Sequence, residues 1–145
     1  MDAVTPDSVL DVLRRHLVTP VVRESSIERA RSVVAALREG GFRVFEITMS
    51  VPHALELVAA LSRDADLTVG IGTVLRPEDA EAAVHAGARF VVSPAVLPDV
   101  AEAARSGGAA AILGALTPTE VLAARDAGAH AVKVFPAESV GGAAH

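Results

Sequence analysis

From Thr19 to the end of the chain, short apolar runs rich in β-branched residues alternate with longer segments of helical period. A chain with that rhythm buries both kinds of element by laying helices against parallel strands. The runs are TPVVR from Thr19, FRVFEI from Phe42, LTVGIG from Leu67, RFVVS from Arg89, AAAIL from Ala109 and HAVKVF from His130, and they predict six strands. Between them, stretches such as SIERARSVVAALREGG (Ser26 to Gly41) and PEDAEAAVHAG (Pro77 to Gly87) carry apolar residues at helical spacing. Pro52, Pro77, Pro98 and Pro118 stand where helices should begin, since proline loses nothing at the first helical position. Ser25 with Glu28, and Thr117 with Glu120, have capping-box spacing. Gly41, Gly87, Gly108 and Gly128 supply the left-handed residue that stops a helix. A further helix from Asp7 to His16 precedes the first strand.

Parallel βα units close into a barrel or spread into an open doubly wound sheet. Residue parity favours the barrel. In FRVFEI, Val44 and Glu46 share one face against Phe45 and Ile47. In HAVKVF, Ala131, Lys133 and Phe135 share a face against Val132 and Val134. If the Val/Ile faces pack on helices, Glu46 and Lys133 both point inward near the carboxyl ends of their strands, where barrel enzymes carry their chemistry. The expected fold is therefore α/β, a TIM-type (β/α)8 barrel with about six of its eight βα units, as one domain over residues 1–145. Such barrels need roughly 200 residues or more, so the chain of 145 reads as C-terminally incomplete.

Composition narrows the function. At 51% apolar the chain has ample core and is not disordered. A net charge of −5 without a basic run argues against nucleic-acid and anionic-membrane partners. The absence of cysteine removes disulfides, thiolate metal sites and thiol nucleophiles together. No signal peptide or membrane-length apolar run is visible, so a cytoplasmic protein is expected. His16, His53, His85, His130 and His145 neither cluster at strand ends nor follow a metalloprotease spacing. His53 and Glu56 lie three apart on a helix, a spacing that usually means solvent exposure. No metal site and no cofactor are expected, nor is a serine–histidine pair for acyl transfer evident.

The residues left for chemistry are few. Lys133 is the single lysine in the chain, and it sits within an apolar strand beside Phe135 and Pro136. A lysine stripped of water inside a barrel is suited to attack a carbonyl as a Schiff-base nucleophile. Glu46 ends another apolar strand, where a buried carboxyl carries protons or else pairs with an arginine. The loop GIGTV brings Gly70, Gly72 and Thr73 together but lacks the spacing of a dinucleotide fingerprint or P-loop, and alone it reads as a tight turn. Ser93 and Pro94 close the fourth strand, and Thr117 caps a helix. Arg23 either grips an anion in a bidentate manner or stands on the rim.

Taken in order, EITM around Glu46, GIGTV around Thr73, FVVSP ending at Pro94, LTPTE around Thr117 and VKVFPAE around Lys133 resemble the 2-dehydro-3-deoxy-phosphogluconate aldolase family, also called the 4-hydroxy-2-oxoglutarate aldolases. The resemblance runs from TPVVR to PAESVGG. It implies a class I, metal-independent aldolase in which Lys133 forms an imine with the C2 ketone of a 2-keto-3-deoxy sugar acid and Glu46 moves protons. The implied products are pyruvate and an aldehyde, glyceraldehyde 3-phosphate or glyoxylate. By the same resemblance Arg23, Ser50, Thr73, Pro94, Thr117 and Phe135 line the substrate site, no cofactor is needed, and the assembly is a homotrimer.

Two departures bear on the substrate. The phosphogluconate-type pattern E-V-T-L-R-T carries an arginine four residues beyond the glutamate; here that position is Ser50. The family's phosphate-binding glycine loops follow the seventh and eighth strands, which are not among the six read here, so phosphorylated substrate should bind poorly. The competing expectation is a noncatalytic barrel fragment, an assembly or metabolite-binding scaffold that keeps these residues. A different enzyme on the same fold, acting without an imine, ranks third.

Overall fold

The computed structural model describes residues 5–144; His145 lies outside them. Helix α1 (Pro6–His16) leads into the alternation β1 (Val21–Val22), α2 (Ile27–Glu39), β2 (Val44–Thr48), α3 (Ala54–Leu61), β3 (Thr68–Gly72), α4 (Pro77–His85), β4 (Phe90–Ser93), α5 (Pro98–Ser106), β5 (Ala110–Ala115), α6 (Pro118–Asp126) and β6 (Ala131–Val134). Two 3-10 turns, Glu138–Val140 and Gly142–Ala144, follow β6.

The six strands form one parallel sheet in the order of the sequence, β1 to β6. A doubly wound sheet reverses its strand order at a switch point; here each new strand is added to the same side. The winding is that of a TIM-type barrel carrying six strands, with β1 and β6 as its two outermost strands.

Two cores result from strand parity. Phe45, Ile47, Val69, Ile71, Val91 and Leu113 pack outward with Ala30, Val34, Leu57, Val58, Val100, Ala101 and Ala104 of the helices. Small alanines on these helices let the backbones lie close to the sheet, which explains how a chain with 3% aromatic residues still packs densely. Facing the other way, Val44, Phe90, Val92 and Ala110 form an inner cluster with Val9. Val9, Val12 and Leu13 belong to α1, so the leading helix fills the interior instead of joining the outer ring.

Most boundary signals act as expected. Pro77, Pro98 and Pro118 open α4, α5 and α6, and Thr117 with Glu120 forms the predicted capping box. Gly41, Gly87, Gly108 and Gly128 all have positive φ, from 81° to 100°. Two signals shift. The cap of α2 is Ser26, whose hydroxyl accepts from the Arg29 N–H, and not Ser25. Pro52 lies in a turn ahead of α3, whose cap is His53 in a left-handed conformation at φ 59°.

Candidate active site

Glu46 occupies the middle of β2, paired in register with Gly70 of β3. Its parity with Val44 turns it inward, and it is 6% exposed. Burial pushes its carboxyl above the ordinary carboxylate range, with the positive charges of Lys133 and Arg23 pulling the other way. A raised carboxyl holds and releases a proton nearer neutral pH than an exposed one.

Lys133 lies on β6, in register with Gly114 of β5, so its side chain shares the inner face. Its Nζ stands 5.1 Å from the centroid of the Phe135 ring, a cation–π distance. Lys133 belongs to no ion pair among the described residues. Glu46 nonetheless feels its charge. The two groups therefore look into one space without closing on each other. One expectation is corrected: Lys133 is half-buried, not stripped of water, because β6 is an outermost strand.

Arg23, just past β1, donates from Nη2 to Thr73 Oγ1 at 3.1 Å. Thr73, directly after β3, has φ 60°, a left-handed conformation that a β-branched residue rarely adopts. The GIG of GIGTV is strand rather than turn, and the guanidinium contact ties the residue after it to the end of β1. Arg23, Thr73, Glu46 and Lys133 are thus gathered at the carboxyl end of the sheet.

The other expected site residues fall into place unevenly. Ser50 shares a hydrogen bond of 2.8 Å with the hydroxyl of Thr48, and Thr48 reaches the Val22 carbonyl at 3.4 Å. Where the phosphogluconate-type pattern carries a guanidinium, this chain has a small hydroxyl tied to its own strand end. Pro94 lays its carbonyl against Gly114, the register partner of Lys133, closely enough that a β-carbon there would overlap it. Phe135, 43% exposed, flanks the lysine. Thr117 has its hydroxyl engaged with Glu120, accepting from the backbone N–H at 3.3 Å and donating to Oε2 at 3.0 Å. His53 and Glu56 join each other at 2.9 Å on an exposed helix start. No cluster of metal-ligating side chains occurs among the described residues.

Thr48 was not singled out from sequence. It is fully buried and lies two residues beyond Glu46, so the parity that turned the glutamate inward was enough to find it.

Comparison with known proteins places these features in a family. The profile described as KDPG and KHG aldolase matches residues 9–145. The 2-dehydro-3-deoxy-phosphogluconate aldolase of Treponema pallidum (strain Nichols) is 40% identical over 138 residues, covering 94% of this chain and 66% of the relative. The solved 2-keto-3-deoxy-6-phosphogluconate aldolase of Zymomonas mobilis ZM4 with 3-phosphoglycerate superposes with a TM-score of 0.85 at 33% identity, covering 97% of this chain and 67% of that one. A KDPG aldolase from Legionella pneumophila, with pyruvate captured as a covalent carbinolamine intermediate, does so at 0.81 and 30% identity, covering 96% and 66%. The chain spans 62% to 66% of the length of the curated aldolases it matches.

Proposed function

From the premise that this chain belongs to the KDPG and KHG aldolase family, we propose that it is a class I aldolase cleaving a 2-keto-3-deoxy sugar acid, or 4-hydroxy-2-oxoglutarate, to pyruvate and an aldehyde. The observation that carries this reading is the joint placement of Lys133 and Glu46 on the inner face, near enough for charge coupling and not ion-paired.

The Lys133 amine attacks the C2 ketone, forming a carbinolamine that loses water to give a protonated imine. The positive nitrogen draws the C3–C4 bonding electrons, and the C4 hydroxyl gives its proton to Glu46 as that bond breaks. The aldehyde departs. Glu46 returns the proton to C3 of the enamine, and water hydrolyses the resulting pyruvate imine to free the lysine. A carboxyl whose proton affinity is raised by burial suits both transfers.

In this reading Arg23 and Thr73, joined by their hydrogen bond, hold the substrate carboxylate or its hydroxyls, and Ser50, Pro94, Thr117 and Phe135 line the rest of the site. With Ser50 in place of a guanidinium, the pocket favours substrates with less negative charge near that point. One barrel domain acting as a cytoplasmic homotrimer, without cofactor, completes the reading. No helix among the described residues is long and apolar enough to cross a membrane.

Incubation with pyruvate and borohydride, followed by peptide mass mapping, tests the mechanism. A reduced pyruvate adduct is expected on Lys133. Folded protein left unmodified there would reject the imine and favour a noncatalytic scaffold.

A further inference from the structure

Gly70 and Gly72 are successive inner-face positions of β3, since Ile71 between them packs outward. Both are buried, and each faces a large side chain from a neighbouring strand. A β-carbon on Gly70 would overlap the Phe90 ring of β4; one on Gly72 would overlap the carboxyl group and Cγ of Glu46 from β2. Register pairs Glu46 with Gly70 and Thr48 with Gly72. The Glu46 side chain therefore leans one inner-face step toward the carboxyl end and rests its head across the Gly72 backbone. Beneath it, the Phe90 ring fills the gap left by Gly70 and joins Val44, Val92 and Ala110 in the inner apolar cluster. The two glycines are thus not the tight turn that their spacing suggests. They are two adjacent notches, one holding an apolar floor and the other the carboxyl group.

We infer that Gly72 is the positioning residue for Glu46. The missing β-carbon lets the carboxyl lie back against β3, apart from Lys133, so that both groups remain open to a substrate between them. A methyl group at residue 72 drives the carboxyl out of the notch into the interior, where the attraction of Lys133 and Arg23 is already felt. There the carboxyl loses its place relative to the substrate and draws on the lysine. Misplacement of a reacting group by about 1 Å costs on the order of 10²-fold in rate. This inference rests on the aldolase reading for its kinetic consequence, while its structural content stands alone.

The experiment follows Glu46 directly. In protein labelled with carbon-13 at glutamate carboxyls, the Glu46 resonance is identified by its loss in Glu46→Gln, then titrated in the parent and in Gly72→Ala. A changed shift and a lower titration midpoint are expected in Gly72→Ala as the carboxyl leaves its apolar floor. The same midpoint and shift in both would overturn the inference, whatever the aldolase assays give. In parallel, deuterium exchange at the pyruvate methyl should fall about 10²-fold while borohydride still traps pyruvate on Lys133. Parent protein that fails to trap rejects the aldolase reading alone. Parent that traps and exchanges, beside a Gly72→Ala that exchanges equally fast, rejects the inference alone. The heavy atoms nearest a β-carbon at residue 72 all belong to Glu46. Should Gly72→Ala fail to fold, Gly72→Ala/Glu46→Ala should fold; failure of that pair as well would show that the notch serves something other than the carboxyl.

Discussion

At the scale of single residues, the candidate site stores an electrostatic conflict. Glu46 binds its proton more tightly in the folded protein than in the unfolded chain, because burial outweighs the pull of Lys133 and Arg23. Folding is then favoured by this group below the unfolded carboxyl pKa of about 4.3, and that contribution is lost as pH rises toward the folded value. Above the folded value the ionised carboxylate, being buried, opposes folding. Glu46→Gln is accordingly expected to melt higher than the parent at pH 7, with the gain shrinking toward pH 4, where the parent carboxyl is protonated and nearly isosteric with the amide. Thermal unfolding across that range checks this, and a variant less stable than the parent at pH 7 would refute it. Lys133 shows the complementary case. It is half-buried beside Phe135 and enters no ion pair among the described residues.

At the scale of elements, the strand that carries Lys133 is tied down at its opposite end by a histidine. His130 Nδ1 accepts the Ala111 N–H at 3.0 Å, alongside the ladder bond from the His130 N–H to the Ala111 carbonyl. Only an Nδ1 without a proton accepts such a bond. Burial lowers the proton affinity of the ring, Arg105 lowers it further, and Asp7 opposes them. The unfolded chain thus binds this proton more tightly than the folded one, so stability is retained above the ordinary histidine value of about 6.5 and falls as the pH drops below it. Loosening of β6 should begin there, visible as faster amide exchange at Ala111 and His130 at pH 5 than at pH 7 after correction for intrinsic rates. His130→Gln, which keeps an acceptor that does not titrate, should flatten that dependence. An equal dependence in both proteins would dismiss the histidine as its origin. Short β1 at the other side of the sheet is held by Val22 in the outer core, by its two register pairs with Glu46 and Ile47, and by the Thr48 hydroxyl donating to the Val22 carbonyl.

At the scale of the whole molecule, the exposed large apolar residues lie mostly near the two outermost strands, with Leu75 beyond β3 the exception among the described residues. Leu17, Val18 and Val21 are exposed around β1, while Val121, Leu122, Val134 and Phe135 are exposed on α6 and β6. These groups flank the two outermost strands, and Val121 and Leu122 line one apolar depression with Leu116 and Pro118, the kind of surface that marks interaction sites. The proposed trimer gives this surface something to cover. Sedimentation velocity should show a concentration-dependent assembly, weakened by Leu122→Ser with Val121→Ser; a parent protein that stays monomeric throughout would refute the assembly.

Much of this was legible in the sequence, for identifiable reasons. The period-two parity of FRVFEI and HAVKVF turned Glu46 and Lys133 to one face and favoured the barrel, while the alternation of β-branched runs with helical segments specified parallel βα units, because both depend on nearest neighbours along the chain. Proline and glycine punctuation worked likewise, being set by φ at one residue. The same locality explains the slips. Ser25 and Ser26 are equally good caps, and only the backbone at the start of α2 chooses between them.

What sequence alone determined, then, was the set of elements, their faces and the identity of the groups able to do chemistry. Tertiary structure decided what those groups meet: that α1 enters the interior, that Arg23 reaches Thr73 across fifty residues of chain, that Lys133 remains half-open, and that Gly72, one inner-face step beyond the register partner of Glu46, is a notch for its carboxyl and not a turn. Those facts depend on register between strands and on side-chain volume across the sheet. A hydrophobic period records which face a residue takes, and carries no record of which neighbour it will find there.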